Sequence, residues 1–159
     1  MAKKSYTVGQ VNGYIKNLID KYQIPMELFQ LEITETTENA ESLSYINSLK
    51  QAGFTLLMDD FGSGYSSLCM LKNTPFDVLK MDRQFLDECL DSKQGKTIIS
   101  HVISMSNDLG LSIIAEGVEN RGTADFLYDN GCSVSQGFYF SKPVPIPEFE
   151  HMLDEQQTE

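Results

Sequence analysis

The chain has 159 residues, 41% of them apolar, which is one domain's length with enough apolar content to bury a core. Its net charge of −11 argues against nonspecific binding to nucleic acid polymers or anionic membranes, because both require basic patches. No run approaches about 18 consecutive apolar residues, and no apolar stretch follows the opening Met1-Ala-Lys-Lys, so the expectation is a chain without leader or membrane segment.

In chain order, Val11, Ile15, Leu18, Ile19 and Tyr22 recur at helical spacing, and Pro25 closes that segment. Residues 1–28 read as an N-terminal helical segment. The run from Phe29 to Thr34 reads as a strand. Thr36 or Thr37 can cap the next helix, striped by Leu43, Ile46 and Leu49 and ended by Gly53. Phe54 to Met58 is a second strand, opening into Asp59-Asp60-Phe61-Gly62-Ser63-Gly64. Val78 to Met81 is a third. Ile98, Ile99, Val102 and Ile103 mark a helix ending at Gly110, and Leu111 to Ala115 is a fourth strand. A helix over about Thr123 to Asp129 stops at Gly131, and Cys132 to Phe140 holds the last strand. Residues 151–159 read as a polar tail.

This alternation predicts an α/β protein built from βα units with parallel strands. A doubly wound sheet would place ligands at a switch point, often beside a glycine-rich phosphate loop. Here, instead, polar residues stand at strand end after strand end: Glu32, Asp59 and Asp60, Lys80 and Asp82, Glu116, Gln136. That pattern favours a (β/α)8, TIM-like barrel, whose site gathers the C-terminal ends of many strands. A full barrel takes about 250 residues, whereas about five βα units are legible, so the expectation is a partial barrel.

Asp59 and Asp60 arrive together where a buried strand ends. Within a strand they would face opposite ways; at a strand-to-loop transition the backbone can turn both toward one site. Hard divalent cations favour several carboxylate oxygens, and paired metals can clamp attacking and leaving oxygens. A turn whose acidic side chains cap backbone amides is the plainer alternative. Glu32 lies between Leu31 and Ile33, where an unpaired carboxylate is expensive. A metal or cationic partner would relieve that cost, as would a water-facing edge strand. Lys80 and Asp82 share a face at period-2 spacing and suit either a structural ion pair or a site beside a metal. Glu116 and Glu119 bracket Gly117, which permits an unusual turn, and either can also favour the next helix's N-terminus. The loop after Asp60 lacks the Gly-Lys-Ser/Thr ending of a P-loop. His101 and His151 read as structural or solvent-facing. Cys69, Cys89 and Cys132, without CxxC spacing, read as packing residues of a reduced, cytoplasmic chain.

The stretch from Asp59 to Phe85, DDFGSGYSSLCMLKNTPFDVLKMDRQF, closely resembles the signature of EAL-domain phosphodiesterases. LEITE at Leu31 to Glu35, AEGVE at Ala115 to Glu119 and QGFYFSKP at Gln136 to Pro143 accompany it in family order. The resemblance makes residues 29–150 the C-terminal part of an EAL barrel. It implies metal-dependent opening of cyclic di-GMP to linear pGpG with Mg²⁺ or Mn²⁺. Glu32, Asp59 and Asp60 would be metal ligands, and Glu116 a ligand or a base-side residue. Lys80 would contact or orient the attacking water, Asp82 would support the site, and Gln136 would help position the water. Glu35 and Glu119 would hold the loop and the site's surroundings. That loop, with Ser63 in place of the usual threonine, would also serve dimer contacts.

The eponymous Glu-Ala-Leu strand, its nearby arginine and the strand bearing a metal-binding asparagine do not occur in the sequence. The resemblance therefore places three barrel strands outside this chain. A homodimer, strand exchange or completion by another polypeptide is expected to cover the open edges, with an inactive or impaired phosphodiesterase, or a non-catalytic nucleotide-sensing or protein-interaction module, as the functional consequence.

Overall fold

The computed structural model describes residues 8–34, 40–62 and 67–156. Helix α1 (Val8–Tyr22) leads through a 3-10 turn (Met26–Leu28) into β1 (Gln30–Thr34). There follow α2 (Ala40–Gln51), β2 (Thr55–Phe61), α3 (Ser67–Asn73), β3 (Val78–Met81), α4 (Arg83–Leu90), α5 (Lys93–Asp108), β4 (Ser112–Ala115), α6 (Arg121–Asp129), β5 (Val134–Ser135) and α7 (Ile146–Gln156). The residues expected to cap α2, Thr36 and Thr37, lie outside the described residues, as do Glu35 and Ser63.

All strand pairs are parallel, and the sheet order is β1-β2-β3-β4-β5. The order never reverses, so no doubly wound switch point exists among the described strands. Each helical crossover returns the chain beside the strand it has just left, the step that builds a (β/α) barrel wall.

The two sheet faces differ. Leu56 and Met58 of β2, Leu79 and Met81 of β3, and Ile113 and Ala115 of β4 pack against the helices through Ile46, Leu49, Met70, Leu86, Ile99, Ile103 and Leu127. Side chains of opposite parity face away from that layer. In-register partners carry this second face across the sheet: Glu32 beside Leu57, Leu57 beside Val78, and Lys80 beside Ile114. The helix layer therefore holds the sheet, while the opposite face presents the charged groups.

Several local readings are revised. Tyr22, expected on the apolar face of α1, is exposed, whereas Ile19 is buried. Cys132 is buried and Cys89 half-buried, but Cys69 is exposed and does not pack. Of the stretch read as a polar tail, residues 151–156 belong to α7, where Ile146, Phe149, Met152 and Leu153 recur at helical spacing, and residues 157–159 lie outside the described residues. The solvent-facing reading of both histidines holds: His101 and His151 are exposed, with His151 Nε2 at 3.4 Å from Glu155.

Candidate active site

Four strands deliver the site. Lys80 emerges from β3, the one strand among the described residues that is buried at every position. Its side chain is only 8% exposed, and its ammonium meets Glu32 Oε1 at 2.6 Å, Asp59 Oδ1 at 2.8 Å and Glu116 Oε1 at 2.6 Å. A buried charge demands such partners. Burial pushes the Lys80 amine down, but its hydrogen bonds to Asp59, Glu116 and Glu32 outweigh that and hold it above the ordinary lysine range. Lys80 thus donates to one carboxylate from β1, one from β2 and one from the end of β4.

The aspartate pair is turned into place by a bulge. Met58 pairs with Leu79 and Phe61 with Met81, so Asp59 and Asp60 together oppose the single residue Lys80. Asp60 sits at φ 59°, in the left-handed region that few side chains other than Asn and Asp tolerate. Phe61 then returns to the helix face, buried and edge-on to Phe85. Burial, with the charges of Asp59 and Asp82, raises the Asp60 carboxyl above its usual range against the opposing pull of Lys80. Crowded carboxylates of this kind create a demand for positive charge.

On the far side, Gln136 Nε2 donates to Glu116 Oε1 at 2.9 Å. The turn after β4 places Gly117 at φ 69°, and Glu116 N donates to Met81 O at 3.0 Å. Asp82 does not pair with Lys80. It caps α4 instead, accepting from Gln84 N at 2.7 Å and Phe85 N at 3.4 Å. Glu119 binds Arg83 Nη1 at 2.7 Å. Arg83 lies in the signature stretch Asp59 to Phe85, and its place directly after Asp82 is the sequence signal that connects it with the site. A cavity of about 530 Å³ opens beside Glu116, bordered by Arg83, Glu119, Gln136 and Phe138. Its size suits a small organic ligand.

The expected ligands Glu32, Asp59 and Glu116 are therefore drawn together around Lys80, with Asp60 close by. Their oxygens are the donors that Mg²⁺ or Mn²⁺ prefers. The donor chemistry fits a hard divalent cation. Among the described residues, no three such side chains are already closed on one point fit for a metal, since the Lys80 ammonium stands between them. Also among the described residues, no helix is long and apolar enough to cross a membrane.

Acidic groups and a buried lysine stand at consecutive C-terminal strand ends, the place where the (β/α) barrel fold class gathers its sites. Within that class the chain belongs to the EAL domain family, which it matches over residues 3–143. It is 37% identical over 143 residues to the cyclic di-GMP phosphodiesterase RocR of Pseudomonas aeruginosa, covering 88% of this chain and 36% of RocR. The crystal structure of the EAL domain of Mycobacterium smegmatis DcpA superposes with a TM-score of 0.81 at 34% identity, covering 93% of this chain and 66% of that one. The manganese and cyclic di-GMP complex of Klebsiella pneumoniae BlrP1 gives a TM-score of 0.76 at 30% identity, over 82% of this chain and 34% of that one. The five parallel strands thus form part of a TIM-like barrel wall. The chain spans between 18% and 36% of the length of three curated relatives that it matches.

Proposed function

We propose that this chain supplies the carboxylate and lysine face of a cyclic di-GMP phosphodiesterase. The observation that carries this reading is the meeting of Glu32, Asp59 and Glu116 on one buried ammonium at adjoining strand ends. Glu32, Asp59, Asp60 and Glu116 would hold Mg²⁺ or Mn²⁺, which when bound supplies charge neutralisation at a phosphoryl group and a more acidic water. Lys80 would exchange one of its three carboxylate partners for the oxygen that attacks, while its other hydrogens hold the remaining carboxylates in place. Gln136 orients Glu116 through its amide, leaving Glu116 as a ligand or as the group that accepts the water's proton. In the reaction, the water oxygen bonds to one phosphorus and the bond from that phosphorus to the 3′ oxygen breaks. The 3′ oxygen leaves as a hydroxyl, giving linear pGpG.

Support comes from family membership and from the relatives' own names: RocR is a cyclic di-GMP phosphodiesterase, and BlrP1 holds manganese with cyclic di-GMP. One observation favours a second reading, a module that binds the nucleotide without turning it over. The Lys80 ammonium already neutralises three of the carboxylates, so a cation has to compete with it.

The test is incubation of the purified chain with cyclic di-GMP and Mg²⁺ or Mn²⁺, with pGpG read by chromatography. The Asp60→Asn chain, prepared identically, controls for contaminating enzyme. Turnover reduced about 100-fold in that variant supports the enzyme. Cyclic di-GMP binding without turnover selects the module, and neither binding nor turnover overturns both.

A further inference from the structure

We propose that Arg83 is a positioning residue that fixes the turn after β4 and thereby aims Glu116 at Lys80. The inference deepens the reading of the site above and rests on it for the purpose of that aim. Three observations converge. First, Arg83 reaches Glu119 with Nη1 at 2.7 Å and Asp87 with Nε at 3.3 Å, so its guanidinium is held at two points. Second, its aliphatic stem lies directly over Gly117. A Cβ built at Gly117 would stand 2.4 Å from Arg83 Cγ, and the positive φ there already favours glycine. Third, the same turn is tied to the loop after β5. Val118 N donates to Gln136 O at 3.0 Å, Tyr139 N donates to Val118 O at 3.0 Å, and a Cβ at Gly137 would meet Val118 O at 2.2 Å.

Glu116 and Gln136, which bond each other through their side chains, therefore depend on two turns stacked backbone to backbone, with Arg83 closing the outer side. Magnitude separates positioning from mere stabilisation. The Arg83 and Glu119 side chains are 52% and 46% exposed, and an ion pair so placed contributes little to global stability. What it can fix is the local geometry of a short glycine turn. Groups that orient metal-site carboxylates typically change affinity about tenfold or more when removed.

The experiment is amide hydrogen exchange by NMR on the full chain, comparing wild type, Arg83→Ala, Arg83→Lys and Glu119→Gln, with Mn²⁺ titrated into each. In Arg83→Ala we expect exchange at the Val118 and Tyr139 amides to accelerate about tenfold, while Leu79 and Ile113 in the sheet keep their protection. Arg83→Lys, which keeps the stem and a charge, should return Val118 and Tyr139 to within about threefold of wild type. Mn²⁺ affinity should weaken about tenfold in Arg83→Ala and Glu119→Gln. Unchanged exchange at Val118 and Tyr139, or a loss shared equally by Leu79 and Ile113, would overturn the proposal. If wild type takes up no Mn²⁺, the metal reading of the site falls, and the exchange result still decides whether Arg83 fixes the turn.

Discussion

Strands β3 and β5 stand in opposite surroundings within one sheet. β3 is covered on both faces, with Leu79 and Met81 fully buried against the helices and Lys80 nearly so on the other side. β5 has one strand neighbour, and Val134 in it is 52% exposed. The chain beyond it displays Phe138, Phe140, Ile146 and Phe149 to solvent. The contrast shows where the chemistry is fixed. A lysine emerging from a doubly covered strand must find partners, and it organises three other segments to do so; an exposed edge imposes no such requirement.

Substitutions at the two places should therefore differ most. Leu79→Ala should cost about 2–5 kcal/mol in urea denaturation, because the helices cannot close fully on the cavity. Ile146→Ala, on the open side, should stay within about 0.5 kcal/mol. Equal losses would remove the distinction. Lys80→Met should cost about 2–3 kcal/mol by the same measurement, since three carboxylates lose their cation while two of them stay largely covered.

A smaller effect, about 1 kcal/mol, is expected for Asp82→Ala through the lost cap of α4. The smallest is a gain. Asp60 is held above the usual carboxylate value of 3.8, so its contribution to stability is fully present below that value and is lost as pH rises through the raised one. At pH 7 Asp60→Asn should therefore be slightly more stable than wild type, the gain kept small by solvent screening. Below pH 3.8 that advantage should vanish. Thermal melts of both chains from pH 3 to 8 would check the sign.

Much of this arrangement was legible in the sequence. Apolar runs such as Phe54 to Met58 and Val78 to Met81 marked the strands, and polar residues recurring just after them marked the barrel mouth. The convergence of Asp59 and Asp60 was foreseeable in kind, but not the bulge that produces it, because register is a property of two strands rather than one. Period-2 spacing put Lys80 and Asp82 on one face with an ion pair or a metal-side role both open; the structure gives Asp82 to α4, because a short helix starting at Arg83 needs its first amides capped. The Arg83–Glu119 contact crosses from one βα unit to the next, and no local pattern announces it. Helix α3 is too short to show a sustained periodic stripe, whereas Phe85, Leu86, Cys89 and Leu90 do recur at helical spacing in α4.

The central claim is that the carboxylates gathered on Lys80 form a divalent cation site. Its most direct test is titration of the full chain with Mn²⁺ at pH 7, followed by electron paramagnetic resonance, for wild type and Asp59→Asn. The account predicts saturable binding by wild type and an affinity at least about tenfold weaker in the variant. No binding by wild type, or equal affinity in both, would contradict it.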